Sequence, residues 1–109
     1  MKMDKDSASF HVRLLSKIID MERYPFTKLL IDHEFSEAEY IELISLLKRQ
    51  EEMYKEQKEE GLLDFSSLLV EFAGLLNEKL DPTETIFALK KENLFTELMD
   101  EYINILGKS

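Results

Sequence analysis

Apolar residues recur along most of this chain at intervals of three or four, which is the spacing of one face of an α-helix. No stretch alternates cleanly between apolar and polar residues, and valine, which strands favour, occurs only at Val12 and Val70. The pattern therefore predicts an all-α fold, a compact bundle of about six helices, two of them short. We expect these helices over residues 7–21, 25–33, 36–61, 65–80, 82–93 and 94–107.

Several boundaries carry recognisable start and stop signals. Ser36 and Glu39 form an S-x-x-E capping box at the start of the long third helix. Asp81 precedes Pro82 and Glu84, which predicts an N-cap followed by a proline in the first helical position. The residues expected to end helices in a left-handed conformation are Gly61 after the third helix and Asn93 after the fifth.

The first helix is predicted to carry one apolar face. No linker or low-complexity segment divides the sequence, and 109 residues is a common size for one domain. We therefore expect a single helical domain over residues 1–109, with residues 1–6 as a disordered start. The apolar stripe assigned to the first helix consists of Phe10, Leu14, Leu15, Ile18 and Ile19.

The helix near residues 65–80 is the most apolar, and we expect it at the centre of the bundle. Gly74 interrupts it, although a glycine inside a helix costs about 1 kcal/mol relative to alanine. On a helical wheel its core face contains Phe65, Leu68, Leu69, Phe72, Leu75, Leu76 and Leu80. A second face is small and uncharged and predicts close contact with another helix, of this chain or of a partner subunit: Ser66, Ser67, Val70, Ala73, Gly74 and Asn77.

The third helix has an uncharged seam that predicts self-association. At 1.5 Å per residue, its 24 or so residues span about 36 Å, so one end is expected to project from a domain of this size. The seam follows Leu43 at alternating steps of four and three and consists of Leu47, Gln50, Tyr54 and Gln57. Polar seam residues favour one register or oligomer state, which predicts a dimer or trimer. A monomer whose third helix packs internally is the alternative.

Composition narrows the classes of partner. The net charge of −9 argues against binding nucleic acid, which requires concentrated Lys and Arg, and against anionic membrane surfaces. No run of about 18 uncharged apolar residues predicts a membrane-spanning helix. With no cysteine, the chain has neither disulfides nor thiolate metal sites, which suits a cytoplasmic setting.

No catalytic, cofactor-binding or metal-binding residue is predicted. His33 falls at the end of a short helix, where a donor can satisfy free carbonyls, and His11 is expected on a helix surface. Neither histidine belongs to a helical metal motif, and no glycine-rich phosphate loop occurs. Five acids cluster without Lys or Arg between them, but two lie in a first helical turn where acids are common: Asp32, Glu34, Glu37, Glu39 and Glu42.

Three stretches, DMERYPFTKLLID, FAGLLNEKLDPTETIFAL and ELMDEYINI, resemble the YhaI-like proteins, small helical proteins of unknown function from bacilli. The similarity extends from about Leu14 to Leu106. It implies an all-α fold, a cytoplasmic setting and self-association, and it carries over no catalytic or ligand residue.

The functional hypothesis is a homo-oligomeric interaction or regulatory module that binds another protein without catalysis. One alternative is an acidic decoy or inhibitor that presents carboxylates to a basic partner protein. An enzyme with a site that no motif reveals is a further alternative. If the small face is a close helix contact, Gly74→Leu should harm the protein more than helix propensity accounts for.

Overall fold

The computed structural model describes residues 5–19 and 22–107, which form six α-helices and, within those ranges, no strand. The all-α prediction is confirmed. Of the expected disordered start, residues 1–4 lie outside the described residues, and a helix begins at Lys5. The helices are α1 (Lys5–Ile18), α2 (Pro25–Asp32), α3 (Glu37–Glu59), α4 (Ser66–Leu75), α5 (Pro82–Lys91) and α6 (Thr96–Leu106).

Helices α3 and α5 begin at the predicted caps. The Ser36 hydroxyl accepts from the Glu39 backbone N–H at 3.1 Å, and the Glu39 carboxylate accepts from the Ser36 N–H at 2.9 Å. At α5, the Asp81 carboxylate accepts from the Glu84 N–H at 2.8 Å, ahead of Pro82. These contacts satisfy N–H groups that have no partner inside the helix.

The two predicted left-handed residues are also present. Gly61 has φ +89° and Asn93 has φ +63°. After Gly61, the Leu62 N–H donates to the Gln57 carbonyl at 2.9 Å, which closes the end of α3 in a Schellman-type turn. The sequence therefore fixes where α3 and α5 stop.

Helix α4 is shorter than predicted, because the chain leaves the helix after Leu75. Leu76 is extended (ψ 139°), and the Asn77 side chain accepts from the Lys79 N–H at 2.9 Å. Such a side-chain bond competes with continued helix. Leu76 and Leu80 remain buried in the turn, whereas Leu75, predicted in the core, is 58% exposed.

The core lies among α2 to α6, and α6 packs against α3, α4 and α5. The Phe72 and Tyr102 rings meet near the middle, with centroids 5.8 Å apart. The buried apolar residues are Phe26, Leu43, Leu47, Tyr54, Phe65, Leu68, Phe72, Leu76, Leu80, Ile86, Ala88, Leu89, Leu98, Met99 and Tyr102.

No described residue of α1 belongs to this core, so the predicted apolar stripe of this helix is left open. Phe10, Leu14, Leu15, Ile18 and Ile19 are all at least two-fifths exposed. The chain is correspondingly elongated, with principal extents of 58 × 25 × 22 Å. Its radius of gyration is 16.2 Å, against about 13 Å for a compact domain of this length.

Candidate functional site

The α3 seam lies inside the chain. Leu47 and Gln50 are fully buried and Tyr54 nearly so, while Gln57 is half-buried. The uncharged character of the seam is therefore explained by contacts with α4 and α6 of the same chain. For the three buried residues, this corrects the expectation that the seam faces a second subunit, because their side chains have no surface left to offer one.

Gln50 connects three helices through its side-chain amide. Its Nε2 donates to the Leu68 carbonyl of α4 at 2.9 Å, and its Oε1 accepts from the Tyr102 hydroxyl of α6 at 2.8 Å. Burial raises the pKa of Tyr102, and the nearby charge of Glu71 raises it further. The hydroxyl therefore stays protonated and acts as a structural donor.

The small face of α4 is turned away from the core. Ser66, Ser67, Val70, Ala73 and Gly74 are exposed, and a Cβ added at Gly74 would meet no atom within 4 Å. No helix of the described chain therefore packs closely there. Only Asn77, at the end of this face, is half-buried.

Asn77 belongs to a cluster around Glu39. The Glu39 carboxylate accepts from Lys79 Nζ at 2.7 Å and from Asn77 Nδ2 at 2.9 Å. With the Ser36 N–H as a further donor, these partners lower the pKa of Glu39 to about 2, the Lys79 bond having the largest effect. The cluster ties the start of α3 to the turn after α4.

The remaining residues considered for chemistry are dispersed. His11 is exposed on α1, and His33 caps α2 through its backbone N–H, which donates to the Leu29 carbonyl at 3.0 Å. Of the five clustered acids, Asp32 pairs with Lys28, and Glu39 is engaged as described. No group of three or more His, Asp or Glu residues among the described positions is arranged to hold a metal ion.

A broad exposed apolar surface lies on α1. Placed at 100° per residue, its large apolar residues occupy an arc of about 200°, while Ser9, Arg13 and Lys17 lie on the remaining polar strip. We call this arc the α1 apolar face. Its members are Phe10, Val12, Leu14, Leu15, Ile18 and Ile19, with exposed fractions from 42% to 80%.

A second apolar surface lies in a groove of about 440 Å³ between α3 and the end of α4. We call it the α3–α4 groove. Ile41 and Leu75 are 54% and 58% exposed on its walls. The other lining side chains used below are Glu42, Leu46 and Arg49, and Arg49 is paired with Glu71 of α4.

The sequence predicted the apolar stripe of α1 but not its exposure, and it missed the groove because Leu75 was assigned to the core. The breadth of the α1 arc was the available signal, since one neighbouring helix covers only a narrower stripe. Within the described residues, no helix combines the length and apolar character needed to cross a bilayer.

The comparison with known families shows which family the chain belongs to, and the function of that family is unknown. A family model described as a protein of unknown function, DUF1878, matches residues 1–107. The match includes α1 as well as the helices of the core, so the projecting helix is part of the family's domain. Since the model spans nearly all 109 residues, this chain belongs to the DUF1878 family of proteins of unknown function.

Proposed function

We propose that this chain is a self-associating helical interaction module that acts by binding through exposed helix surfaces. The observation that carries the proposal is the α1 apolar face, six large side chains left open by the chain's own core. Monomeric soluble proteins seldom expose contiguous apolar surface on this scale unless it is an interaction site.

The length of α1 and the exposure of its apolar face support the same proposal. The helix has 14 residues, and none of its described side chains belongs to the buried core. Isolated helices of about 12–15 residues are marginal in water, and most helical stability in proteins comes from burying an amphipathic face. A helix with this face and length therefore gains its stability when another surface covers it.

The buried polar groups favour binding over chemistry. Gln50 and Tyr102 satisfy each other, and the Thr85 hydroxyl donates to the Asp81 carbonyl at 2.7 Å. These groups hold helices together, and none lines the α3–α4 groove. The self-association implied by the resemblance to the YhaI-like proteins stays a prediction, and membership of DUF1878 is compatible with it.

Light scattering on a sizing column, over a hundredfold range of concentration, tests the proposal. We expect a discrete multiple of the 12.9 kDa chain mass, and we expect Leu15→Glu to shift the population to the monomer. Leu63→Glu is the matched control, because it makes the same substitution at a leucine that is 92% exposed in the connection between α3 and α4, outside both apolar surfaces. Circular dichroism checks that both variants remain helical.

A constant mass of 12.9 kDa for the unaltered chain at every concentration would contradict self-association. An acidic decoy would bind its basic partner through the acidic body of the molecule. Leu15→Glu would then leave the chain mass unchanged, because the unaltered chain would already be monomeric.

A further inference from the structure

We infer that α1 of one copy docks in the α3–α4 groove of a second copy, an assignment that rests on the proposed self-association and names the two surfaces that meet. The groove offers the α1 apolar face an apolar surface to pack against, which this face does not have in the described part of its own chain. Ile41 of α3 and Leu75 of α4 line it and expose apolar area there, and Leu46 of α3 lines it as well.

Charge complementarity selects this pairing over the others. Helix α1 carries Lys5, Arg13 and Lys17 against Asp6, a net charge of +2, so the rest of the chain, which totals −9, carries −11. Contact between two copies of α1 opposes two positive segments, and contact between two bodies opposes two strongly negative ones. Only the contact between α1 and the body of a second copy joins opposite charges.

Individual charged side chains on α1 and at the groove are also complementary in sign. Arg13 and Lys17 on the polar strip of α1 form no ion pair within the described part of the chain. Glu42, at the edge of the groove, is likewise unpaired among the described residues, whereas the charge of Arg49 is already met by Glu71. Within the described residues, the groove thus presents an unpaired carboxylate to a helix with two unpaired cations.

The lengths of the two surfaces also agree. From Phe10 to Ile19 the α1 apolar face spans about 14 Å, at 1.5 Å per residue. From Ile41 to Arg49, the groove follows α3 for about 12 Å by the same measure. The groove is therefore long enough for α1 to lie along it over most of the length of its apolar face.

A second groove, of about 330 Å³, between α2 and α5 provides the comparison. Phe87 is half-exposed there, so the surface is apolar enough to receive a helix. Its charged lining, however, is balanced: Lys28 is paired with Asp32, and Lys91 and Glu84 carry opposite charges. This groove has no surplus of negative charge with which to select α1.

Disulfide trapping tests the pairing in the full chain, which has no cysteine of its own. Leu15→Cys is mixed with Leu75→Cys, and separately with Ile41→Cys, and oxidation products are resolved by mass without reducing agent. A disulfide requires Cα atoms within about 7 Å, so it reports direct apposition. Phe87→Cys is the matched control in the second groove.

We expect a mixed dimer containing one copy of each variant with at least one of the two groove positions, formed about a hundredfold faster than with Phe87→Cys. The rate follows from the effective concentration, which association raises into the millimolar range. Arg13→Glu with Lys17→Glu, added to the Leu15→Cys chain, should slow this cross-link if charge selects the groove.

Each other outcome overturns the assignment. Leu15→Cys linking mainly to itself would place two α1 helices together, and linking to Phe87→Cys would place α1 in the second groove. A closed monomer from the Leu15→Cys, Leu75→Cys double variant would mean that α1 folds back onto its own body. If no groove link forms while light scattering still finds a multimer, this assignment fails and the proposed function stands. A monomer at all concentrations removes both.

Discussion

At the scale of single residues, the buried pair Gln50 and Tyr102 shows how a polar side chain comes to lie in an apolar core. The Tyr102 hydroxyl donates to Gln50, and Gln50 in turn donates to a backbone carbonyl of α4. Each group removes the desolvation cost of the other. The pair therefore specifies how α3, α4 and α6 meet, and neither residue is replaceable alone.

We predict that Tyr102→Phe and Gln50→Leu each lower the free energy of unfolding by about 1–3 kcal/mol, because each strands a buried polar group. The double variant should lose less than the sum of the two, since both partners become apolar together. Urea denaturation of the four proteins measures this coupling. Tyr40→Phe removes a hydroxyl from a ring that is 45% exposed and should change stability little. Strict additivity of the single variants would contradict the coupling.

Glu39 gives a second residue-scale prediction, on pH. Its pKa falls from 4.5 to about 2 in the folded chain, chiefly through the Lys79 bond. A carboxyl whose pKa is lower in the folded state stabilises the fold above its unfolded pKa and loses that contribution as pH falls. The stabilisation should therefore disappear between about pH 4.5 and pH 2.

Glu39→Gln should make the dependence of stability on pH shallower in that window, as measured by urea midpoints at successive pH values. Glu37→Gln, in the same helical turn, is the matched control and should retain more of the slope. Equal slopes for the unaltered chain and Glu39→Gln would mean that the Lys79 and Asn77 contacts do not form in solution.

At the scale of elements, the sequence predicts well those features that depend on interactions between residues close together in the chain. The caps at Ser36 and Asp81 and the turns at Gly61 and Asn93 depend only on neighbouring residues, and each occurs as expected. Burial depends on which helices meet, and hydrophobic spacing alone does not say that. The α1 stripe has helical spacing whether its own core or another surface covers it.

Helix α4 combines features that local spacing predicts with one that depends on a distant residue. Its core residues Leu68 and Phe72 were predicted from spacing, whereas its early end at Leu75 follows from Asn77 engaging Lys79 and Glu39. The contact with Glu39 joins residues 38 positions apart, so no local pattern contains it. The expected continuation to Leu80 was wrong for that reason.

At the same scale, replacing Gly61 and Gly74 by alanine should change the stability of the monomer in opposite directions. A Cβ at Gly74 has open space around it, so Gly74→Ala should stabilise the monomer by several tenths of a kcal/mol through helix propensity. Gly61 has φ +89°, so Gly61→Ala should destabilise it, by about 1 kcal/mol. Urea denaturation in the Leu15→Glu background keeps association out of both measurements.

Gly74→Leu separates the two environments that remain for the small face of α4. If solvent surrounds it, the leucine stabilises the monomer by several tenths of a kcal/mol, as alanine does, and leaves association unchanged. If a second copy approaches there, the leucine weakens association measured by light scattering while the monomer keeps its stability. A loss of monomer stability with Gly74→Ala would contradict the exposed position that the structure gives to this glycine.

At the scale of the whole molecule, helix α1 differs from the body formed by α2 to α6 both in its position and in the sign of its charge. The core unites α2 to α6, and these helices with their connections hold the negative charge. Helix α1 stands apart from the core, carries the positive surplus and exposes a broad apolar face. One chain thus holds two surfaces of opposite charge that share an apolar character, which is the arrangement that heterologous or exchanged contacts between copies require.

Small-angle X-ray scattering tests this division in solution. For the Leu15→Glu chain, held as a monomer, we expect a radius of gyration near the 16.2 Å of the structure and a maximum dimension near 58 Å. A glutamate on the apolar face disfavours its burial, so α1 should remain extended from the body. Leu63→Glu, which leaves that face and the charge of α1 intact, should instead scatter as the assembled species. A value of about 13 Å for the Leu15→Glu monomer would indicate a compact chain, with α1 packed on its own body, and would leave no free helix for a second copy to receive.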